Sequence, residues 1–362
     1  MKITGITATL FRDSLLGPAR GCLVELTSVA GLCGIAIASP WARPAILALG
    51  KDLLMGEDPR SVAAFWQRAG QLMTSHGDAA LGHARAVLDV AMWDLKAKAQ
   101  SEPLWKALGG GRPRANAYLS WPNANAGENG AAEDGFTTWL ARVSGGFGMR
   151  GGKLSVSSDP ELNRQRLDSM RRALEPHTHE PQLMIDAGGR WRPKDAIRHI
   201  RALESEFDLT WVQGIAECGD FLGSRRVSDS IRAGVCAGGE LSTLNAFLPW
   251  FHHQAANVIE IDMHHFGVTG AMQLADAAFA YELPVTLTAA PGNIHVHLAA
   301  VMPSFMSMEV IPPESGDGPV NSDVRFESGW GIAGDAPGTG LTFNRKFPGN
   351  VTLEPAKDMQ AT

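Results

Sequence analysis

The chain has 362 residues, of which 44% are hydrophobic and 19% charged, and its formal net charge is −6. This composition is typical of a globular protein, and the length suggests about two domains. The negative net charge gives no electrostatic reason to expect nucleic acid or an anionic membrane as a partner. The four cysteines show no CxxC spacing. In a chain this long we expect reduced core cysteines rather than two disulfides.

The amino-terminal sequence MKITGITATLFRD has neither a long apolar segment nor a small-residue cleavage site, which indicates no signal peptide. The stretch from Leu283 to Met308 lacks Asp, Glu, Lys and Arg, but prolines, a glycine and histidines interrupt it. Because a membrane helix needs about 20 predominantly apolar residues, we interpret this stretch as a buried strand, a loop and a helix. We therefore expect a cytoplasmic location.

The first third of the chain predicts an α+β domain. The segments KITGITATLF and GCLVELTSVAGLCGIAIAS alternate in hydrophobicity like the strands of an antiparallel meander. DPRSVAAFWQRAG and HARAVLDVAMWDLKAKAQ follow with the spacing of helices. The Gly-rich sequence LGGGRPR marks the end of this domain, and we place its boundaries at residues 1–112.

Residues 113–318 alternate between short apolar segments and helical patterns. The apolar segments are ANAYLSW, GGKLSVS, PQLMIDAGG, LTWVQGIAE, RAGVCAGGEL, ANVIEIDMHH, LPVTLTAAPG and FMSMEVIPP. Strand–helix alternation repeated about eight times predicts a parallel (β/α) barrel of the TIM type. In residues 319–362, GDAPGTGLTF resembles a turn and strand that return to the first domain. The predicted fold class is α/β, with an N-terminal α+β capping domain that the C-terminal segment completes.

Three of the middle segments end in an acid, namely Asp186, Glu240 and Asp262, and Gln213 stands where a regular repeat would place another. Spacings of 27, 27 and 22 residues separate these four positions. One βα unit of a barrel is about this long, so the four side chains should project from the same carboxyl-terminal rim. Oxygen ligands converging there would suit Mg²⁺. Acids are also common at the start of loops where they have no function. The hypothesis of a metal site therefore depends on the even spacing of the four positions.

The segment GGKLSVS places Lys153 and Ser155 on one face of a predicted strand. If that face is the barrel interior, the Lys153 ammonium points to the same rim. A lysine there can have a lowered pKa and act as a base, or it can stay charged and hold a carboxylate. An exposed strand end is the alternative.

Five segments in this order resemble the mandelate racemase/muconate lactonizing enzyme group of the enolase superfamily. They are ARAVLDVAMWDLKAKAQSEPLWKALGG, LMIDAGGRW, AGGEL, DMHHFGVTGAMQLADAAFAYELPV and IHVHLAAVMP. The resemblance covers nearly the whole chain. It implies that a base removes the proton α to a carboxylate and that a Mg²⁺ held by three acids stabilises the enediolate. The enediolate is then reprotonated, as in a racemase, or loses a β-hydroxyl, as in a sugar acid dehydratase.

The resemblance assigns Asp186, Gln213 and Glu240 to the metal, Lys153 to the first lysine of a Lys-x-Lys motif, and Glu309 to substrate contact. At Gln213 an amide replaces an acid, which removes one negative charge and should weaken a bound metal.

Two further positions depart from the family pattern. Ser155 replaces the second lysine, and Thr288 stands where this branch has a histidine that Asp262 would orient. His264 or His265 on the neighbouring loop could restore a His–Asp pair. Dehydration needs one base and one acid, whereas racemisation needs two groups on opposite faces of the carbon. Dehydration is therefore the easier reaction to support.

We expect a metal-dependent lyase that dehydrates a small hydroxy or sugar acid, and a homo-oligomer. A racemase or epimerase, and a barrel that has lost catalysis and serves in binding or regulation, are the alternatives. A zinc site at His295 and His297 is less favoured. The catalytic candidates are Lys153, which is the best surviving base, and Asp262, His264, His265 and Glu309. The metal ligand candidates are Asp186, Gln213 and Glu240, with Glu217 or Asp262 as substitutes. The substrate-binding candidates are Arg12, Arg20, Ser155 and Thr288.

Overall fold

The computed structural model describes residues 1–12, 20–73, 79–120, 131–311 and 318–346, without the side chains of Arg12, Arg20 and residues 131–138. The amino-terminal part is an antiparallel three-stranded sheet with helices packed on it. Its strands pair in the order β1 (Ile3–Arg12), β2 (Arg20–Ser28) and β3 (Cys33–Ala38). Its helices are α1 (Arg43–Leu53), α2 (Val62–Leu72), α3 (Ala79–Ala99) and α4 (Leu104–Ala107).

Eight parallel strands form the second layer, and the pairing of the last strand with the first closes them into a barrel. The strands are β4 (Arg114–Ser120), β5 (Gly151–Ser155), β6 (Gln182–Asp186), β7 (Leu209–Gln213), β8 (Gly234–Ala237), β9 (Val258–Ile261), β10 (Val285–Leu287) and β11 (Phe305–Val310). The connecting helices are α5 (Ala131–Phe147), α6 (Pro160–Leu174), α7 (Pro193–Glu204), α8 (Phe221–Ser228), α9 (Leu244–His252) and α10 (Met263–Ala280). The 3-10 segment Pro291–Ala300 joins β10 to β11. The predicted TIM-type barrel with an N-terminal cap is confirmed.

Helix α7 shows how the sequence sets the outer layer. Pro193 stands in its first turn, where the missing N–H would have no partner within the helix. Ala196, Ile200 and Leu203 are buried at helical spacing and face the barrel, while the opposite side is polar. Burying a leucine or isoleucine side chain contributes roughly 2 kcal/mol. The helix is therefore fixed by its apolar stripe.

In the part of the chain that the structure describes, no helix has both the length and the apolar character needed to span a bilayer.

The carboxyl-terminal segment extends the barrel sheet and contacts the cap. Its strands are β12 (Val320–Asn321), β13 (Arg325–Glu327), β14 (Trp330–Ile332) and β15 (Thr342–Phe343). β14 pairs antiparallel with β4, and β12 pairs with β15. The backbone N–H and the hydroxyl of Thr339 donate to Oδ1 of Asp94 in α3, at 2.7 and 3.0 Å.

Helix α3 also docks the cap on the barrel through a second buried carboxylate. Asp89 is fully buried, and its Oδ2 accepts from the N–H groups of Val268 and Thr269 at 2.7 and 2.9 Å. Gly267 breaks α10 just before them with a φ of 56°, and a Cβ there would lie 2.7 Å from the Ala86 carbonyl oxygen. Glycine fits this position because it adopts a positive φ without strain and has no Cβ to contact the Ala86 carbonyl oxygen. The carboxylate of Asp89 therefore accepts from the first N–H groups of the second part of α10, as the side chain of an N-cap residue does.

Candidate active site

Lys153, near the carboxyl end of β5, is the centre of a charged network inside the barrel. Its side chain is 8% exposed. The Nζ atom lies 2.8 Å from Oε2 of Glu309 and 3.5 Å from Oε1 of Glu260. It also donates to Oε1 of Gln213 at 3.2 Å. One ammonium therefore joins side chains from β7, β9 and β11.

The Gln213 amide bridges this ammonium and a carboxylate. Its oxygen accepts from Lys153, and its Nε2 donates to Oε2 of Glu260. Amide orientation is assigned from the hydrogen-bond network. The reversed orientation would set the amide NH₂ against an ammonium and the amide oxygen against a carboxylate, so chemistry favours this one. Both ends of Gln213 are therefore engaged within the protein.

Glu260 is a member of the network that sequence reasoning missed. It lies in β9, is 1% exposed, and contacts both Gln213 and Lys153. Burial raises the pKa of Glu260 to about 7, against the opposing effect of Lys153. A Cβ at Gly239 would lie 2.1 Å from Oε2 of Glu260, so the glycine leaves space for this carboxylate. The available signal was an acid inside VIEI, a strand whose residues are otherwise apolar.

The surroundings of Lys153 keep it charged. Burial by itself lowers the pKa of Lys153, but the charges of Glu309 and Glu260 outweigh burial and raise it well above its ordinary value. Below the ammonium, Nζ lies 5.9 Å from the ring centre of Tyr118 and 5.8 Å from that of Trp211. Of the two roles expected for Lys153, the geometry favours the charged lysine that holds carboxylates over the base.

A His–Asp pair stands at the same end of the barrel, where β9 leads into α10. Oδ1 of Asp262 accepts from the backbone N–H of His264 at 2.8 Å and lies 3.0 Å from its Nδ1. The hydrogen bond to Asp262 raises the pKa of His264. Burial opposes the ionisation of Asp262, but the hydrogen bonds from His264 outweigh it and lower the pKa of that carboxyl. Nε2 of His265 lies 3.9 Å from Oδ2 of Asp262.

Thr288 supports this pair: its hydroxyl donates to Oδ1 of Asp262 at 3.2 Å. The residue expected to bind substrate therefore contacts the acid of the pair. Ser155, the other substrate-binding candidate in the barrel, is the register partner of Asp186 across β5 and β6. The side chains of Arg12 and Arg20 lie outside the described residues.

The cap contributes His83, which sequence reasoning did not single out, to the same rim. Its Nδ1 lies 2.9 Å from the carbonyl oxygen of His264, and its Nε2 accepts from the N–H of Ser39 at 3.1 Å. Burial lowers the pKa of His83 to about 4, so the ring is neutral and its proton is on Nδ1. Its ring stacks between those of His264 and Trp41, with centroids 5.5 and 5.2 Å away. The cap therefore fixes the backbone of His264.

The three metal ligand candidates occupy neighbouring strand ends. Asp186 and Gln213 are register partners in β6 and β7, and Glu240 lies exposed in the turn after β8. Oδ1 of Asp186 accepts from the N–H of Gly188 at 2.7 Å. Glu217, the suggested substitute, is exposed in the loop after β7.

The buried histidines of the 3-10 segment have structural partners. Nε2 of His295 lies 2.7 Å from the carbonyl oxygen of Glu309, and Nδ1 of His297 accepts from the N–H of Trp105 at 3.2 Å. Burial lowers the pKa of each imidazole to about 4. Within residues 1–12, 20–73, 79–120, 131–311 and 318–346, no three His, Cys, Asp or Glu side chains are grouped to hold a metal ion.

Comparison with known families agrees with this architecture. The N-terminal domain model of mandelate racemase / muconate lactonizing enzyme matches residues 16–109, and the enolase C-terminal domain-like model matches residues 131–347. The chain belongs to the mandelate racemase/muconate lactonizing enzyme family of the enolase superfamily. The three relatives described below are enzymes.

Three relatives show the range of activities in this family. L-talarate/galactarate dehydratase of Salmonella typhimurium is 26% identical over 255 residues, which are 70% of this chain and 62% of that protein. 3,6-Anhydro-alpha-L-galactonate cycloisomerase of Streptomyces coelicolor is 29% identical over 267 residues, 72% of this chain and 70% of that protein. L-Ala-D/L-Glu epimerase of Clostridium acetobutylicum is 26% identical over 277 residues, 71% of each chain. The match thus spans less than two thirds of the dehydratase.

Solved structures share the fold. A racemase from Streptomyces coelicolor with bound magnesium superposes with a TM-score of 0.80 at 24% identity, covering 94% of this chain and 97% of that one. L-Talarate dehydratase from Polaromonas sp., in complex with Mg and L-glucarate, gives 0.80 at 24% identity and covers 95% of each chain.

The donors of this chain do not fit the magnesium ion found in those two structures. Of the three candidates, only Asp186 and Glu240 carry a carboxylate. The Gln213 oxygen, which would be the third ligand, already accepts a hydrogen bond from the ammonium of Lys153. A divalent cation at that oxygen would meet a fixed positive charge, which disfavours its binding. Beside Gln213, a positive charge is already supplied by Lys153.

Proposed function

We propose that this protein is a lyase that removes the proton α to the carboxylate of a small hydroxy acid and expels a β-hydroxyl as water. The observation that carries the proposal is the His264–Asp262 pair, 3.0 Å apart, at the barrel end where the Lys153 ammonium lies. Relatives named as dehydratases of talarate, galactarate and galactonate support a sugar acid as the substrate.

His264 is the proposed base. Its Nδ1 donates to the Asp262 carboxylate, which leaves Nε2 unprotonated and able to accept a proton. Among the described residues none hydrogen-bonds to Nε2, and the side chain is 36% exposed. Asp262 fixes the tautomer and stabilises the imidazolium that forms.

Lys153 is the proposed electrostatic stabiliser. When the α C–H bond breaks, its electron pair moves toward the substrate carboxylate, where negative charge accumulates. A preorganised ammonium in a buried site stabilises that charge far more than water does. The imidazolium then returns its proton to the β-hydroxyl as the C–O bond breaks. Water leaves, and because the α-carbon of a sugar acid also carries a hydroxyl, the product is an enol that becomes a 2-keto acid.

Dehydration is favoured over epimerisation by the placement of the two imidazoles. His264 and His265 both lie against Asp262, at 3.0 and 3.9 Å. Inversion of a carbon needs proton donors on opposite faces, whereas elimination can use one group twice. An epimerase among the relatives makes epimerisation the second candidate.

The test is proton exchange in D₂O with a panel of hexonic and hexaric acids. We expect α-deuterium in recovered substrate, and a 2-keto product, with at least one acid. His264→Asn should reduce both by about 10³-fold, as expected for loss of a general base. His265→Asn is the matched control and should retain activity.

Exchange that is unchanged in His264→Asn would reject the proposed base. Failure of every acid in the panel to exchange or dehydrate would reject the lyase and favour a barrel with a binding role. Substrate that is epimerised at the α-carbon, with no keto acid formed, would identify an epimerase.

A further inference from the structure

The repeat spacing predicts an acid at position 213 of the barrel interior, but the acid lies at position 260. Position 213 is an amide, and the carboxylate that contacts it belongs to Glu260, two strands away. Gly239, on the intervening loop, leaves space for this contact, since a Cβ there would overlap the Glu260 carboxylate. The negative charge is therefore displaced away from Asp186, the register partner of Gln213.

The carboxylate of Glu260 lies beside the ammonium of Lys153. Glu260 and Glu309 lie 3.5 and 2.8 Å from Nζ of Lys153, and these three side chains are 1%, 17% and 8% exposed. In such a site an ammonium paired with two carboxylates is strongly held, because its alternatives are unpaired buried charges. A divalent cation beside Gln213 would have to compete with this ammonium for the same oxygen.

We infer that the barrel mouth is organised around the Lys153 ammonium in place of a divalent cation, and that the placement of amide and acid at positions 213 and 260 decides this. The inference deepens the proposed function, since it names the source of positive charge. Only that role rests on the lyase proposal: the cation preference is a property of the folded protein without substrate.

The decisive variant exchanges the two side chains, Gln213→Glu together with Glu260→Gln. It preserves net charge, and an amide and a carboxylate can again form a hydrogen bond between positions 213 and 260 across the barrel. It moves a carboxylate to the strand end beside Asp186, on the strand next to the one that leads to Glu240. Three carboxylate ligands around one position suit Mg²⁺.

The measurement is calorimetric titration of MgCl₂ into metal-free protein. We expect no saturable binding by the wild type up to about 10 mM, and at least tenfold tighter binding, below about 1 mM, by the exchanged variant. Asp186→Asn in the exchanged background is the matched control and should abolish the gained binding. Gln213→Glu alone, which retains Glu260 beside Lys153, serves if the double variant does not fold and should also gain binding.

Submillimolar Mg²⁺ binding by the wild type would overturn the inference, as would failure of both folded variants to gain binding. The lyase proposal fails separately, if no acid exchanges its α-proton. Wild-type exchange that persists in EDTA would support the inference, and exchange that EDTA abolishes and Mg²⁺ restores would overturn it.

Discussion

Two buried carboxylates, Asp89 at the junction of cap and barrel and Glu260 inside the barrel, are held in opposite ways. Asp89 is satisfied by two backbone N–H groups and the Thr269 hydroxyl, at 2.7, 2.9 and 2.5 Å. Glu260 is satisfied by the side chains of Gln213 and Lys153. Burial is the largest cause that raises the pKa of both, to about 6 for Asp89 and about 7 for Glu260.

The difference separates a carboxylate with a structural role from one in the proposed active site. Backbone donors are fixed by α10, so Asp89 has one arrangement that secures the docking of two domains. Side-chain donors can reorient and can be exchanged by substitution, so the environment of Glu260 can change while the fold is preserved. We expect substitutions at Asp89 to act on stability, and those around Glu260 to act on charge and activity as well.

The largest effect is expected from Lys153→Met, because it leaves the buried Glu260 and the half-buried Glu309 without their cation. Removal of one partner from a buried ion pair costs about 5 kcal/mol at most. Urea unfolding should show this loss, and α-proton exchange should fall as well. Lys153→Met combined with Glu260→Gln should recover part of the stability. Equal stability of the single and double variants would show that the ion pair does not stabilise the barrel.

Asp89→Ala should cost about 4 kcal/mol, since it leaves two backbone N–H groups and a hydroxyl buried without an acceptor. The midpoint of urea unfolding measures the loss. Asp89→Asn keeps an acceptor for the N–H groups and is the matched control, with a smaller loss. An alanine variant as stable as the wild type would show that Asp89 does not hold the two domains together.

Asp89→Asn should also change the pH dependence of stability. The pKa of Asp89 rises from its ordinary value of 3.8 to about 6 in the fold, so the unfolded chain ionises first as pH increases. The wild type therefore loses stability from pH 4 to pH 6, by up to about 3 kcal/mol, and the neutral amide does not. The stability difference should shift in favour of asparagine over this range and stay constant above it. A pH-independent difference would contradict the burial effect.

The smallest effect is expected from Thr288→Val, which removes one hydrogen bond to Asp262 while the fold and the His264 contact remain. We expect a loss of about 1 kcal/mol in transition-state stabilisation, or about fivefold in exchange rate. Thr288→Ser keeps the hydroxyl and should match the wild type. A large change in substrate affinity without a change in turnover would instead support the substrate contact that the sequence suggested.

The sequence was sufficient for the architecture, because each barrel strand is a short apolar segment followed by a helical pattern. The register of Asp186 with Gln213 agrees with their 27-residue spacing. The spacing locates positions along the chain but not the partner of each side chain. The contact of Gln213 with Glu260 joins residues 47 apart across the barrel, and only the closed barrel brings them together.

The position of Glu260 on the interior face follows from the alternation of side chains along β9. Alternate residues of a strand share a face, so the face that carries Glu260 also carries Asp262. The same rule places Lys153 and Ser155 on one face of β5. His83 could not be predicted in this way, because its contact with His264 depends on how the cap docks on the barrel.

The break at Gly267 has a consequence for how the site is assembled. It separates the short turn with His264 from the rest of α10, and the cap secures both parts, through His83 on one side and Asp89 on the other. The proposed base is therefore a residue of the barrel whose position is determined by another domain. A barrel deprived of residues 1–112 would keep the sequence of its catalytic pair and lose the contacts that orient it. In the proposed active site, the cap therefore supplies contacts that orient the base.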